Sequence, residues 1–299
     1  MGMPQPPTND MLFSVLEQSI WTNHCIAIIG SGLSVGDYPV WSELTDILQD
    51  RCSVRPEDSV STDPLDVAEA AKKKGPVYFK VLDEVFQRKE YPRSRDRYHL
   101  LARIPFSSYV TLNFDTLLLD TIALHKDVTV SEYPVLQNQH HRNAELFYLH
   151  GRLGPDRPAA VTQIVLTRKE FEDAYDPYAN RLHGFLQSTF LDNDVCFIGC
   201  NPSEAHMQRL LEACRRFSKQ AHGIHDTSIP RWFLLWDDES EVPPVLAACG
   251  IHAIRYGKVS PDFSGFDQVL KYLARKKEPV FRKLGREQSP FSTDVEPGL

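Results

Sequence analysis

Two polar stretches, each placed directly after a run of strand-forming residues, carry the side chains that could do chemistry. His150 follows the strand-forming run 146–149, and Asn113 and Asp115 follow a second such run at 107–112. An unperturbed imidazole titrates near ~6.5 and can act as a base at neutral pH. Amide and carboxylate oxygens accept hydrogen bonds and stabilise nearby positive charge. Side chains of these types could supply a base, a hydrogen-bond acceptor and a negative charge.

Each signal also has an ordinary structural explanation when it is taken alone. A histidine such as His150 is more often packed or exposed than catalytic. The turn from Asn113 to Asp115 is typical of a cap on the helix that follows it. His140 and His141 have no carboxylate or cysteine at ligand spacing, so a solvated loop is favoured and no metal site is expected there.

A glycine-rich loop follows the first apolar strand, His24 to Ile29. Its sequence is Gly30-Ser31-Gly32-Leu33-Ser34. Glycines at this position allow a tight turn and bring backbone amides and serine hydroxyls against a phosphate, although a plain strand-to-helix turn looks the same. The dinucleotide fingerprint fits less well because Val35 stands where its third glycine belongs, and no lysine follows as in a Walker loop.

The elements that must position these residues alternate between strands and helices from 24 to 273. This alternation predicts an α/β fold, a Rossmann-like, doubly wound, mostly parallel sheet with helices on both faces. Ligands of such sheets bind beyond the carboxyl ends of the strands, where every polar motif above lies. The predicted strands are 24–29, 107–112, 128–130, 146–149, 164–166, 195–198, 232–236 and 251–254.

The pattern of apolar and polar residues along the chain also predicts the domain limits. Residues 1–9 are expected to be a flexible lead, 10–278 one catalytic domain and 279–299 a tail. Within the domain, 55–103 is expected to be a helical insertion, because Tyr78, Val81, Leu82, Val85 and Phe86 recur at spacings of three and four. A helix start is expected at 201–204, where Asn201 can cap the first turn.

Composition excludes several classes of protein. With 42% hydrophobic and 24% charged residues the chain is typical of a globular protein. Its net charge of −7 leaves no broad basic surface for direct contact with nucleic acid. The apolar run at 25–29 is far too short to span a bilayer, so a cytoplasmic protein without membrane contact is expected. The six cysteines include no C-x-x-C pair, and buried, reduced thiols are expected.

Taken together, four motifs resemble the sirtuin-like superfamily, and most closely its zinc-free branch of prokaryotic antiphage NADases. They are the glycine loop, the Asn113-Phe114-Asp115 turn, His150-Gly151 and the strand that ends at Gly199. The stretch from Gly36 to Leu44, GDYPVWSEL, is similar to the family's G-x-P-x-W-x-x-L signature, and the region of Lys169 to Phe171 and Tyr175 also matches. The resemblance extends from about Ile26 to Leu273.

This resemblance implies that NAD⁺ binds across the strand ends as a substrate. It implies catalytic roles for His150 as base, Asn113 as the partner that positions water or the ribose, and Asp115. The pyrophosphate is expected on the glycine loop and the adenosine half near Gly199 and Asn201. The full set of expected cofactor-binding residues is Gly30, Ser31, Gly32, Ser34, Trp41, Thr111, Gly151, Gly199 and Asn201.

One departure changes the expected activity. The protein deacetylases of the superfamily carry two C-x-x-C pairs that hold a structural zinc, and this chain has none after His150. The expected activity is therefore NAD⁺ glycohydrolysis, which yields ADP-ribose and nicotinamide, in an abortive-infection effector without zinc. Control is expected from a homo-oligomer or from a separately encoded ATPase or Argonaute-type partner. The alternatives are a non-catalytic sensor of NAD⁺ or ADP-ribose and an NAD-dependent deacylase.

Overall fold

A computed structural model describes residues 8–136, 144–176, 181–200, 232–236, 251–256 and 264–275, with the single positions 212, 244 and 246. Its centre is a seven-stranded sheet in the order β3-β4-β2-β1-β5-β6-β7, and all neighbouring strands are parallel. The predicted fold class is confirmed. The strands are β1 Cys25–Ile29, β2 Ser108–Thr111, β3 Val128–Glu132, β4 Ala144–Tyr148, β5 Asp194–Ile198, β6 Trp232–Trp236 and β7 Ile251–Arg255.

The central strand β1 is buried along its whole length, as are its neighbours β2 and β5. Helices cover both faces of a parallel sheet, so such strands are continuous apolar runs in the sequence. The chain passes from β1 to β2 on one side and later returns to β5 on the other. The strand order therefore reverses at β1, and in parallel sheets of this kind a crevice forms at the carboxyl edge where the order reverses.

The described helices lie close to where the periodicity places them. The second helix starts at Trp41, two residues after Pro39, and Glu43 in its first turn accepts a hydrogen bond from the amide of Val40 (3.1 Å). The helices are α1 Asn9–Trp21, α2 Trp41–Arg51, α3 Pro64–Lys72, α4 Pro76–Val85, α5 Arg95–Arg103, α6 Leu117–Ile122, α7 Arg168–Ala174, α8 Arg181–Asp192 and α9 Ser264–Leu273, and short 3-10 turns span Ser31–Ser34 and Pro56–Asp58.

One predicted strand, 164–166, is wrong. The Val165 amide donates a hydrogen bond to the His150 carbonyl (2.9 Å), but the segment pairs with no described strand. It contacts the residues that follow β4, and β4 itself already has β2 on one side and β3 on the other. An apolar run without a free sheet edge cannot become a strand.

Between 55 and 103 the structure has the helices α3, α4 and α5, and Tyr78, Val81 and Leu82 form the buried face of α4. Asn9 begins α1, and its side-chain amide exchanges two hydrogen bonds with the backbone of Arg255 at the end of β7. The domain limits themselves remain predictions. The helix start expected at 201–204 and the tail at 279–299 lie outside the described residues.

Two further expectations concern membranes and thiols. Among the residues that the structure describes, none of the helices has the length and apolar character needed to cross a bilayer. Cys25, Cys52, Cys196 and Cys200 are buried free thiols, as predicted. The other two cysteines, at 214 and 249, lie outside the described residues.

Candidate functional site at the carboxyl edge of the sheet

The loops that follow β1, β2 and β4 surround one cavity. The cavity is narrow, with a volume of about 30 Å³, and it opens to solvent. Six of the predicted site residues line it: Ser31, Ser34, Trp41, Asn113, Asp115 and His150. The other lining residues, Tyr38, Pro39, Leu44, Phe86, Leu112 and Phe114, are apolar or aromatic.

Five other predicted site residues do not line the described cavity. They are Gly30, Gly32, Thr111, Gly151 and Gly199. The Thr111 hydroxyl donates to the Ile29 carbonyl (3.4 Å) and accepts from the amide of residue 113 (3.1 Å), so it holds the turn after β2. The last predicted residue, Asn201, lies outside the described residues.

The glycines of the β1 loop are required by a close approach between two loops. A Cβ at Gly30 or Gly32 would lie 2.6 or 2.7 Å from the Gly199 carbonyl oxygen. Gly199 itself has φ +64°, a conformation that favours glycine. The Gly32 amide donates to the Gly199 carbonyl (2.9 Å), and the Gly30 amide donates to the Ile198 carbonyl (3.0 Å). These amides thus fix the loop against the end of β5.

The glycine after His150 is also explained by packing. Gly151 has φ +84°, and a Cβ there would lie 2.4 Å from the Gln163 carbonyl oxygen. The segment 163–166 crosses the end of β4 at this point. Only a residue without a side chain lets the chain turn beside that segment while it presents the imidazole to the cavity.

Asn113 is held in a defined orientation. Its Nδ2 donates to the Gly30 carbonyl (3.3 Å) and to Ser34 Oγ (3.2 Å). Because a carbonyl can only accept, the amide nitrogen must be the atom that faces Gly30. Among the described residues no donor reaches Oδ1 of Asn113, which is therefore the polar atom left for a ligand.

Asp115 is a buried carboxyl group, with 3% of its surface exposed. Oδ1 accepts from the amide of Leu117, the first residue of α6 (3.0 Å), and Oδ2 accepts from Ser34 Oγ (3.0 Å). Burial raises the pKa of Asp115 to about 6, and the charges of Asp37 and Asp120 add to this effect against the two hydrogen bonds. The group is therefore ionised at neutral pH at an energetic cost.

His150 is 1% exposed and lies in an aromatic surround. Its Nε2 is 2.8 Å from the Tyr175 hydroxyl, and its ring centroid is 5.0 Å from that of Phe171. Phe171 and Tyr175 are stacked, at 5.7 Å between centroids, and Trp41 meets Phe171 edge-on at 6.2 Å. This packing fixes the plane of the imidazole at the wall of the cavity.

Sequence reasoning missed the aromatic residues that complete the site. Tyr98 of α5 is fully buried, and its hydroxyl lies 2.6 Å from Ser34 Oγ. Phe86, at the end of α4, stacks with Tyr38 (5.9 Å) and meets Phe114 edge-on (5.5 Å), which closes one side of the cavity. In the sequence these residues belong to helical stripes that indicate only a core, so no local signal separates them from packing residues.

No group of three or more histidine, cysteine, aspartate or glutamate side chains that could hold a metal ion is present within the described ranges. The polar groups of the cavity are hydroxyls, one amide, one carboxyl group and one imidazole. Such a set can bind a polar organic ligand, stabilise a developing cation and accept a proton.

The sheet defines a parallel α/β protein of the Rossmann-like class, with a cavity at its carboxyl edge. Residues 107–254 match the family model of the SIR2-like domain. This match confirms the resemblance to the sirtuin-like superfamily over these residues, while the resemblance to its zinc-free branch stays a prediction.

Known proteins extend the comparison. The NAD(+) hydrolase ThsA of Bacillus cereus (strain MSX-D12) is 22% identical over 221 residues, which cover 71% of this chain and 44% of that protein. The chain thus spans less than half the length of this curated relative. A structure from work on the mechanism and regulation of Sir2 enzymes aligns with 11% identity and a TM-score of 0.46, covering 89% of this chain and 96% of that one. A Sir2 homolog–NAD complex aligns with 10% identity and a TM-score of 0.44, covering 87% and 93%.

Proposed function

We propose that the protein is an NAD⁺ glycohydrolase that cleaves NAD⁺ to ADP-ribose and nicotinamide. The observation that carries this proposal is that Asn113, Asp115 and His150 line one cavity at the carboxyl edge. That this cavity belongs to a chain with a SIR2-like domain and a relative named as an NAD(+) hydrolase supports the choice of substrate.

The reaction makes modest demands on a protein. The bond between C1′ of the ribose and the nicotinamide nitrogen breaks, and its electron pair stays with the ring, which leaves as a neutral molecule. No general acid is needed at that nitrogen. Positive charge grows on the ribose, and a water oxygen bonds to C1′ and releases one proton. The paired carboxyl groups of common glycosidases are accordingly not required.

The cavity residues fit these demands. His150 accepts the proton from water or from a ribose hydroxyl, and the Tyr175 hydroxyl orients its ring. Oδ1 of Asn113 accepts a hydrogen bond from the water or the ribose, because its Nδ2 is already engaged with Gly30 and Ser34. The Asp115 carboxylate places a negative charge near the growing cation in a buried site, where charges interact more strongly than in water.

The rest of the substrate would lie along the loops. Ser31 is half-buried at the cavity and offers its hydroxyl to a phosphate, while Trp41 and Phe86 offer apolar surface to the bases. Gly30 and Gly32 shape the loop rather than contact the ligand through their amides. The adenosine half is assigned to the region of Gly199 and Asn201.

The direct test is to incubate the purified chain with NAD⁺ and to measure free nicotinamide and ADP-ribose. The assay is run without and with the separately encoded partner protein, whose gene is expected to lie beside that of this chain. We expect His150→Ala or Asn113→Ala to lower hydrolysis by ~100-fold or more, about 3 kcal/mol of barrier. His125→Ala, which changes an exposed histidine outside the cavity, is the matched control and should retain activity. Circular dichroism checks that all variants fold.

The outcomes separate the alternatives. Full turnover in both cavity variants would remove the catalytic assignment. NAD⁺ binding without nicotinamide release, with and without the neighbouring product, would instead indicate a sensor. Consumption of NAD⁺ only when an acylated peptide is present would indicate a deacylase.

The biological role proposed for this activity is depletion of NAD⁺ in the cytoplasm after phage infection. Such an activity must be silent in a healthy cell, so we propose control by a homo-oligomer or by a separately encoded ATPase or Argonaute-type partner. The protein is proposed to work without zinc, without direct nucleic-acid contact and without a membrane. Infection of cells that carry wild type or His150→Ala, with NAD⁺ measured over time, tests this role.

A further inference from the structure

Tyr98 contacts two residues that line the cavity, Ser34 and Asn113, from an element that belongs to neither the glycine loop nor a strand end. It lies on α5, 64 residues from Ser34 in the sequence, and its hydroxyl is 2.6 Å from Ser34 Oγ. The side chain is completely buried. The residue before Tyr98, Arg97, anchors α5 to α9 through an ion pair with Asp267 (2.7 Å).

A count of protons sets the direction of the hydrogen bonds. Ser34 has one hydroxyl proton, and it donates this proton to Oδ2 of Asp115 (3.0 Å), since an ionised carboxylate can only accept. Tyr98 must therefore be the donor to Ser34 Oγ. Burial and the nearby Asp115 charge both raise the pKa of Tyr98, so the phenol keeps its proton at neutral pH.

Asn113 belongs to the same chain of hydrogen bonds. Its Nδ2 donates to Ser34 Oγ (3.2 Å) and lies 3.5 Å from the Tyr98 hydroxyl. Ser34 Oγ thus gives one hydrogen bond and receives two, which fills the capacity of a hydroxyl group. A hydroxyl that accepts from a donor becomes a better donor itself, so Tyr98 strengthens the bond that Ser34 gives to Asp115.

We propose that Tyr98 is a positioning residue for NAD⁺ hydrolysis: its hydroxyl, delivered by α5, orients Ser34, and through Ser34 it holds the Asp115 carboxylate and the Asn113 amide in their working geometry. This inference rests on the proposed function. It also has a consequence that does not depend on turnover, because loss of the Tyr98 hydroxyl removes support from the ionised form of Asp115.

The groups that face Asp115 determine how clearly this consequence can be measured. Asp37, from the loop before α2, and Asp120, from α6, both oppose its ionisation. Tyr38 and Tyr148 are close enough to interact with the Asp115 charge. Burial, together with that charge, raises the pKa of each of these phenols. None of these four residues is changed when Tyr98 is replaced by phenylalanine, so a change in the titration of Asp115 reports the loss of the hydroxyl chain.

The test compares Tyr98→Phe with Tyr109→Phe. Tyr109 is a suitable control because it is equally buried and its hydroxyl also forms hydrogen bonds. These bonds join it to the Ile104 carbonyl (2.8 Å) and to Lys126 (2.9 Å), neither of which lines the cavity. For Tyr98→Phe we expect kcat to fall by about 10-fold, with KM changed by less than about 3-fold, because the lost bond orders the reacting groups and not the whole substrate. Tyr109→Phe should keep its kcat.

The pH dependence of kcat distinguishes a positioning role from a merely structural one, because a structural role of Tyr98 would leave the pKa of Asp115 unchanged. Since the ionised carboxylate loses a hydrogen-bonded chain, the pKa of Asp115 should rise in Tyr98→Phe, and the acidic limb of the kcat profile should move to higher pH. The same shift should be visible without NAD⁺, as the ¹³C NMR titration of the carboxyl signal that is absent in Asp115→Asn. An unmoved titration, or an equal loss of kcat in the Tyr109→Phe control, would overturn the proposal. If wild type releases no nicotinamide either alone or with its separately encoded partner, the proposed function fails, and the NMR titration still decides the role of Tyr98.

Discussion

Asp115→Asn offers a test of the site through stability instead of activity. The carboxyl group is buried, and its pKa is about 6 in the folded protein, compared with an ordinary value of 3.8. The difference, 6 minus 3.8 or about two pH units, corresponds to roughly 3 kcal/mol, since each pH unit is worth about 1.4 kcal/mol. Ionisation of this one residue therefore opposes folding at neutral pH by that amount.

The direction in which stability changes with pH follows from the linkage between protonation of Asp115 and folding. A carboxyl group whose folded pKa is raised contributes its full stability below pH ~3.8, where it is protonated in both states, and loses it as the pH rises through about 6. Asparagine resembles the protonated acid and does not titrate. Its amide can donate to Ser34 Oγ if the serine hydroxyl turns toward Tyr98, so the variant keeps a hydrogen-bonded interior.

The assay is urea unfolding of wild type and Asp115→Asn at pH values from 4 to 7.5. We expect the stability of the variant relative to wild type to increase by about 2–3 kcal/mol from the lowest to the highest pH, with most of the change near pH 4–6. The gap at pH 4 is the internal control, because it contains the effects of the substitution that do not depend on ionisation. A gap that stays constant, or one that closes as the pH rises, would refute the reasoning.

Two further predictions follow from the local geometry. Gly151→Ala should lower the free energy of unfolding by about 2 kcal/mol or more, because the positive φ is strained for alanine and the new Cβ meets the Gln163 carbonyl. Gly75→Ala, where φ is +69° but no atom lies within 4 Å of the new Cβ, isolates the cost of strain and should be milder in the same urea experiment. Tyr175→Phe should lower NAD⁺ hydrolysis by roughly 10-fold, because His150 loses the hydroxyl that orients its ring. Activity unchanged from wild type would show that the packing of Phe171 alone fixes the imidazole.

The sheet was predictable from the sequence because its central strands are buried on both faces. The run Cys25–Ile29 has no polar position, and this leaves few alternatives to a parallel strand. The segment 164–166 is equally apolar and yet is not a strand. What decides between them is whether a neighbouring strand has a free edge, and no local pattern contains that information.

The candidate site could be predicted only for residues that carry a local sequence signal, such as a position directly after a strand. Asn113, Asp115 and His150 could be named because each follows a strand directly. Tyr98 could not, because its partner Ser34 is 64 residues away and its spacing on α5 is that of a core residue. The glycines at 30 and 32 were identified for a different reason than the one observed, since their contact with Gly199 exists only after β1 and β5 have paired.

The cost of the Asp115 carboxylate bears on function independently of any similarity to other proteins. A penalty of about 3 kcal/mol is a large part of the 5–15 kcal/mol that separates typical folded and unfolded states. Asparagine could cap α6 through the same oxygen and would avoid this penalty. A residue that lowers stability in a core, although a close substitute would not, points to a requirement for its charge. If Asp115→Asn is more stable than wild type at neutral pH and also fails to release nicotinamide, the two measurements together assign the carboxylate to the chemistry and not to the fold. If the variant is more stable and fully active, the charge has no role in the reaction, and the assignment of the cavity then depends on Asn113 and His150 alone.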